Sequence, residues 1–157
     1  MTDRLSPERR SALMSHVKSK DTGPEKIVRS WLHRHGYRFR LHRKDLPGSP
    51  DIVLSKYRTV VFVHGCFWHR HPGCRRASRP STNVEFWERK FRTNVERDAV
   101  VRKRLEALGW KVVVIWECET RKTCPFVERL VEAFDVPEVA SKGEASFSKD
   151  RTGHKED

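Results

Sequence analysis

The predicted elements run helix, three strands, helix, strand, helix, and this order predicts an α/β fold with a mixed sheet flanked by helices. Three observations carry it. The apolar runs Asp51-Ile52-Val53-Leu54 and Thr59-Val60-Val61-Phe62-Val63 stand on either side of a polar turn at Ser55 to Arg58, the pattern of a hairpin. A long helical region then separates the second run from Trp110-Lys111-Val112-Val113-Val114-Ile115-Trp116, the clearest strand in the chain. A helix joining two strands is the connection a parallel pair requires, so the sheet is mixed.

Each element has a local reason. Ser6 and Pro7 read as the cap and first turn of a short basic helix running to about His16 and presenting Leu13, Met14 and Val17. Thr22-Gly23-Pro24-Glu25 has capping-box spacing. The helix after it is expected to bury Ile27, Val28, Trp31 and Leu32 and to stop at Gly36. Tyr37, Phe39 and Leu41 alternate with Arg38, Arg40 and His42, the period of a half-exposed strand. Leu46-Pro47-Gly48-Ser49-Pro50 is a turn-rich break. Thr82-Asn83-Val84-Glu85 repeats the capping-box spacing and opens a long, interrupted helical region ending at Leu108-Gly109. A last helix carries Phe126, Val127, Leu130, Val131 and Phe134. The chain thus divides into a basic N-terminal helix (1–20), a main domain (21–136) and a polar tail (137–157) expected to be disordered.

Net charge narrows the partner. The 157 residues include 33 Lys and Arg against 21 Asp and Glu, a net +12. Arg29, Arg34, Arg38, Arg40, Arg43 and Lys44 form a run without a carboxylate, and Arg75, Arg76 and Arg79 form a second cluster. Such asymmetry predicts a polyanion, since each neutralised phosphate releases counterions. No apolar run is long enough to span a bilayer, and no long amphipathic helix carries the charge onto a membrane surface. A cytoplasmic, nucleoid-associated protein is expected.

The segment Val63-His64-Gly65-Cys66-Phe67-Trp68-His69-Arg70-His71-Pro72-Gly73-Cys74 is where chemistry concentrates. Cys66, His71 and Cys74 are three metal-type donors on one loop, and Cys118, just past the strongest strand, can supply a fourth. Cys3His is a closed structural zinc set, with no open position for catalysis. Zn2+ binding of about 10–16 kcal/mol would fix a loop poor in apolar residues. Cys124 is left over and reads as a buried or unreactive thiol. His64 and His69 remain free to carry protons. Phe67 and Trp68 are adjacent, so at least one is available to stack on, or wedge between, bases.

Single carboxylates are weaker signals. Asp51 opens a buried strand and reads either as a ligand for a hard cation such as Mg2+ or as a turn cap. Glu25 is already explained by its capping box, and Asp98 by helix-surface ion pairs.

Several stretches together resemble the very-short-patch repair endonucleases, the Vsr-type mismatch nickases. They are Leu46-Pro47-Gly48-Ser49-Pro50-Asp51, Phe62-Val63-His64-Gly65-Cys66-Phe67-Trp68-His69, Glu85-Phe86-Trp87, Asn94-Val95-Glu96-Arg97-Asp98 and Trp116-Glu117-Cys118. The resemblance covers roughly residues 8 to 135. It implies a restriction-endonuclease-like core and strand-specific nicking of duplex DNA at T·G mismatches left by deaminated methylcytosine. By matching motifs, Asp51 would be the principal Mg2+ ligand, beside the backbone carbonyl of Val63. His69 would be the general base, with Glu25, His64 and Asp98 in support. Cys66, His71, Cys74 and Cys118 would hold the structural Zn2+. Phe67, Trp68 and Trp87 would enter beside the mismatch from the major groove and Met14 from the minor groove, with Asn94 also on the DNA-binding surface. A monomer is implied, with mismatch-repair proteins as candidate partners. The family often has threonine where this chain has Val63, and its histidine-rich loops are one residue shorter before Cys74.

Two other classes fit part of the pattern. A non-catalytic, zinc-stabilised DNA-binding module explains the charge and the Cys/His loop, but not Asp51 or the two spare histidines. A zinc hydrolase of small molecules fits the charge badly.

Overall fold

The computed structural model describes residues 6–17, 19–121 and 125–134. Cys124 and the segment beyond residue 136, each given an expectation above, lie outside the described residues.

The sheet has four strands in the order β1 (Arg40–Leu41), β2 (Ile52–Leu54), β3 (Thr59–His64), β4 (Lys111–Trp116). The first two pairings are antiparallel and the last is parallel. The hairpin and the mixed sheet are therefore as the sequence predicts. Its turn is a 3-10 segment, Ser55–Tyr57, closed by Arg58 at φ 49°.

Period-two burial assigns the helices to faces. Ile52, Leu54, Val61, Val113 and Ile115 pack with Val28 and Leu32 of α2 (Gly23–Arg34) and with Phe126, Leu130 and Phe134 of α4 (Phe126–Phe134). On the opposite face Val53, Val60 and Trp110 meet Leu105 and Val101 of α3 (Val84–Ala107). The result is three layers, helix–sheet–helix. Fully burying one such aliphatic side chain contributes roughly 1.5–3 kcal/mol.

The helix starts follow their caps. Ser6 accepts from the Arg9 amide ahead of α1 (Pro7–Ser15), and Thr22 accepts from the Glu25 amide ahead of α2. Gly36, at φ 82°, follows α2 where predicted.

Four expectations need correction. Ile27 faces solvent, because the inner stripe of that helix runs through Glu25, Val28 and Leu32, with Trp31 half-buried beside it. The strand expected over residues 37–42 pairs only at Arg40–Leu41. Tyr37 and Phe39 instead pack against the α2/α4 side of the core. The long helical region is uninterrupted for 24 residues, since Trp87, Phe91, Asn94, Asp98, Val101 and Leu105 recur at spacings of four and three on one face. Its cap position is Asn83, at φ 51° and without a side-chain capping bond, one residue later than the expected start at Thr82.

Candidate active site

Two antiparallel strands place the start of β2 beside the end of β3. The turn before β2 is pressed onto α3: Gly48 has φ 72°, and a Cβ there would collide with the Val101 side chain. This close approach brings Asp51 to the strand end. Its Oδ2 accepts from the Val63 amide at 2.8 Å. Burial raises the Asp51 carboxyl to about 6, with the Val63 amide opposing and the nearby Glu25 charge adding to the rise. Its other oxygen, Oδ1, lies 3.8 Å from His42 Nδ1, beyond hydrogen-bond range. A half-satisfied buried carboxylate is suited to a cation.

His64 ends β3, and His69 follows on the loop. Their rings are stacked, 3.9 Å between centroids and 9° from parallel. Burial, then the neighbouring His69 charge, lowers His64 to about 4, so it is neutral at physiological pH. His69 Nδ1 is 2.6 Å from Asp98 Oδ2 on α3. Burial pushes Asp98 upward, but the hydrogen bond and charge of His69 prevail and hold it below the usual carboxylate value. This pair fixes the His69 ring and leaves Nε2 as its second nitrogen.

Glu25 is only 2% exposed and closes the other side. Its Oε2 accepts from the Asp21 amide (3.1 Å) and from Arg29 (2.6 Å), and Oε1 accepts from the Thr22 hydroxyl (3.3 Å). Arg29 also reaches Asp21 at 2.6 Å and lies 3.0 Å from His42 Nε2. Glu25, Asp51, Val63, His64, His69 and Asp98 all border one cleft of about 910 Å³, together with the cations Lys90 and Arg97.

On the far side of the loop, one donor atom each from Cys66, His71, Cys74 and Cys118 lie within 4.8 Å of one another. His71 Nδ1 stands 3.4 Å from Cys118 Sγ and 3.7 Å from Cys66 Sγ. The ring itself is stacked on Trp116 at 4.3 Å. Burial pushes the Cys66 thiol up to about 12 and raises that of Cys118, while the Arg76 amide lowers that of Cys74. Three clustered thiols, two of them held from ionising by burial, beside an imidazole fit a thiophilic cation.

Phe67 and Trp68 are half-buried and pack edge-on to each other. Trp87 is 7% exposed, enclosed by Phe67, Trp68, Phe86 and Phe91. Trp87 thus supports the aromatic tip from beneath. Asn94 is also buried and donates to the Trp68 carbonyl at 3.0 Å, so its amide holds the loop in this structure. Met14 is 37% exposed on α1, and Val17, just beyond that helix, borders the cleft.

Part of the basic surface is already paired. Arg29 is enclosed by Asp21 and Glu25, Arg43 meets Asp45, Arg76 meets Glu117 and Arg79 meets Glu88. The stretch without carboxylates in sequence thus acquires them through folding. Sequence reasoning missed Arg29 and His42 as members of the site. The four-residue step from Glu25 to Arg29 was the available signal, since such pairs meet on a helix. His42 gave none, because its φ of 47° turns it out of the strand pattern.

A largely buried carboxylate at one strand end, a neutral imidazole at the next and a carboxylate-held imidazole on the loop beyond form a set of groups capable of hydrolytic chemistry, here on an α/β scaffold with a basic exterior. Comparison with known proteins agrees. The family model "DNA mismatch endonuclease Vsr" matches residues 2–76. The type II nicking enzyme V.XorIIP of Xanthomonas oryzae pv. oryzae is 59% identical over 119 residues, covering 76% of this chain and 87% of that protein. V.NmeAIP of Neisseria meningitidis is 46% identical over 130 residues (83% and 92%), and DNA mismatch endonuclease Vsr of Escherichia coli K12 is 44% identical over 121 (77% and 77%). The chain belongs to the Vsr family of DNA mismatch endonucleases.

Proposed function

We propose that this protein nicks one strand of duplex DNA at T·G mismatches arising from deaminated methylcytosine, with Mg2+, and so initiates very-short-patch repair. The core is read as restriction-endonuclease-like. The observation that carries the chemistry is the convergence of Asp51, His64, His69 and Asp98 on one cleft.

Asp51 and the Val63 carbonyl would hold Mg2+, and Oδ1 of Asp51, with His42 near it but beyond hydrogen-bond range, fits that role. Bound there, the cation would neutralise charge developing on the scissile phosphate. Asp98 keeps the proton on Nδ1 of His69, so Nε2 is the basic atom that takes a proton from water. His64, neutral and stacked on His69, walls the base from one side without adding a competing charge. Glu25 fixes Arg29 and His42 beside Asp51. Cys66, His71, Cys74 and Cys118 would hold a structural Zn2+ that shapes the loop.

Selectivity has a physical source in stacking. A wobble pair is easier to unstack than a matched one, and inserting an aromatic recovers ~1–3 kcal/mol per base. Phe67 and Trp68 would make that insertion with Trp87 behind them, Asn94 holding the loop and Met14 approaching from α1. The basic helix at the N-terminus is read as an additional DNA contact, and the protein as a monomer.

The test is a panel of mismatched duplexes, with products mapped to the nucleotide. Mg2+-dependent nicking at T·G, absent on matched DNA and lost in Asp51→Ala, is expected. Retained nicking in Asp51→Ala overturns the assigned chemistry. Binding without cleavage under any divalent metal would instead favour a non-catalytic DNA-binding module.

A further inference from the structure

We propose that Arg70 is a positioning residue for mismatch recognition: it clamps the Phe67–Trp68 tip onto α3 independently of the Cys/His cluster. This rests on the nickase reading, and deepens it by naming what aims the aromatic tip.

Arg70 lies between His69 and His71 with φ at 55°, a left-handed conformation that non-glycine residues adopt at a cost. That turn carries the guanidinium back across the loop. Nη1 donates to the Ser78 carbonyl at 3.0 Å and, at the long limit of 3.5 Å, to the Phe67 carbonyl. Nη2 donates to the Ala77 carbonyl at 2.8 Å. The guanidinium carbon also sits 4.1 Å from the centroid of the Phe91 ring.

Three separated points are thereby joined: the tip at Phe67, the far limb of the loop at residues 77 and 78, and the α3 face at Phe91. Phe67 rests edge-on against the same Phe91, at 5.2 Å. None of these contacts involves Cys66, His71, Cys74 or Cys118. Besides the Asn94 and Asp98 tethers, the loop therefore has two fasteners, one of soft donors and one of a cation shared among carbonyls and a ring. The planar fork of arginine can serve two carbonyls while lying on an aromatic face, a geometry that the point charge of lysine does not reproduce. His69 has its own tether to Asp98, so the clamp governs the tip more than the base.

The experiment compares the full-length protein with Arg70→Met, which keeps much of the stem, and Arg70→Lys, which keeps the charge. Four readouts are taken: zinc per chain, amide hydrogen exchange over residues 67–78, steady-state nicking of a T·G duplex, and fluorescence of 2-aminopurine placed beside the mismatch with Ca2+ in place of Mg2+. In Arg70→Met we expect wild-type zinc, faster exchange confined to the loop and a weaker 2-aminopurine rise. KM should increase between about 10- and 100-fold, while kcat at saturating duplex stays near wild type. Arg70→Lys should fall between the two, and it carries the same readouts should Arg70→Met fail to fold.

Unchanged loop exchange overturns the clamp. Faster exchange with unaltered KM and fluorescence overturns its part in recognition. Loss of zinc overturns its independence from the cluster. Failure of the wild-type protein to nick T·G duplex would sink the nickase reading instead, and the exchange data would still report on the clamp.

Discussion

His69 is held by Asp98 through a 2.6 Å contact at Nδ1, and the two partners come from different elements, the Cys/His loop and the middle of α3. The proton between them determines which ring nitrogen is basic. A carboxylate can only accept, so it keeps Nδ1 protonated and Nε2 open. An amide at position 98 could donate to Nδ1 and reverse the tautomer.

Asp98→Asn should therefore lower kcat by about 10²–10⁴-fold, the range a general base contributes. Affinity for mismatched duplex, measured with Ca2+, should stay close to wild type. Loss of binding in parallel with kcat would show that Asp98 acts through the fold.

The buried Asp51 carboxyl makes the metal-free protein less stable as pH rises. Its value is raised to about 6 from an ordinary 3.8, so between these pH values the folded state binds more protons than the unfolded. Stability from this group is then full below about pH 4 and declines until about pH 6. Asp51→Asn should stabilise the Mg2+-free protein by roughly 1–3 kcal/mol at pH 7, with the gain vanishing near pH 4. Thermal melts across pH test this. Added Mg2+ should raise the Tm of wild type and leave the variant unmoved; a variant less stable at pH 7 contradicts the linkage.

Zinc uptake should release protons, because burial holds the thiols of Cys66 and Cys118 above their ordinary values. At pH 7 roughly two to three protons per ion are expected in weakly buffered indicator solution, with affinity falling as pH falls. Cys118→Ser should lose bound zinc and melt earlier. Metal analysis that finds no tightly held zinc in wild type removes the site.

Trp68 and Trp87 should separate on mutation. Trp87 is enclosed by four aromatic rings, so Trp87→Ala should destabilise by about 3–5 kcal/mol in denaturant titrations. Trp68→Ala should cost less stability and weaken binding to T·G duplex more than to matched duplex. Equal losses on both duplexes would make Trp68 a core residue.

The fold was legible where burial alone decides it. β2, β3 and β4 alternate or run apolar, and α4 puts Phe126, Leu130 and Phe134 on one side. It was less legible where neighbours distant in sequence decide. Tyr37 and Phe39 look like a strand, yet Tyr37 finds Tyr57 and Phe134. The continuity of α3 was readable in its four-three spacing, despite its mixed polarity. In the site, the Cys/His donors announce themselves because those residue types are rare and closely spaced. Arg29 and Arg70 do not, because carbonyl acceptors leave no trace in sequence and the partners of Arg29 include His42, brought in by a turn.

The unbroken course of α3 has a consequence for how this chain tolerates changes of length. Trp87 and Phe91 lie under the aromatic tip and Asp98 lies behind the histidine, all on a single rod. Deleting one residue between Phe91 and Asp98 would swing one end about 100° relative to the other, given 3.6 residues per turn. Insertions past Ser78, in the largely exposed stretch from 79 to 82 beyond the carbonyls that Arg70 holds, displace no such phase relationship. Viable homologues should therefore vary in length before this helix and keep a fixed count within it.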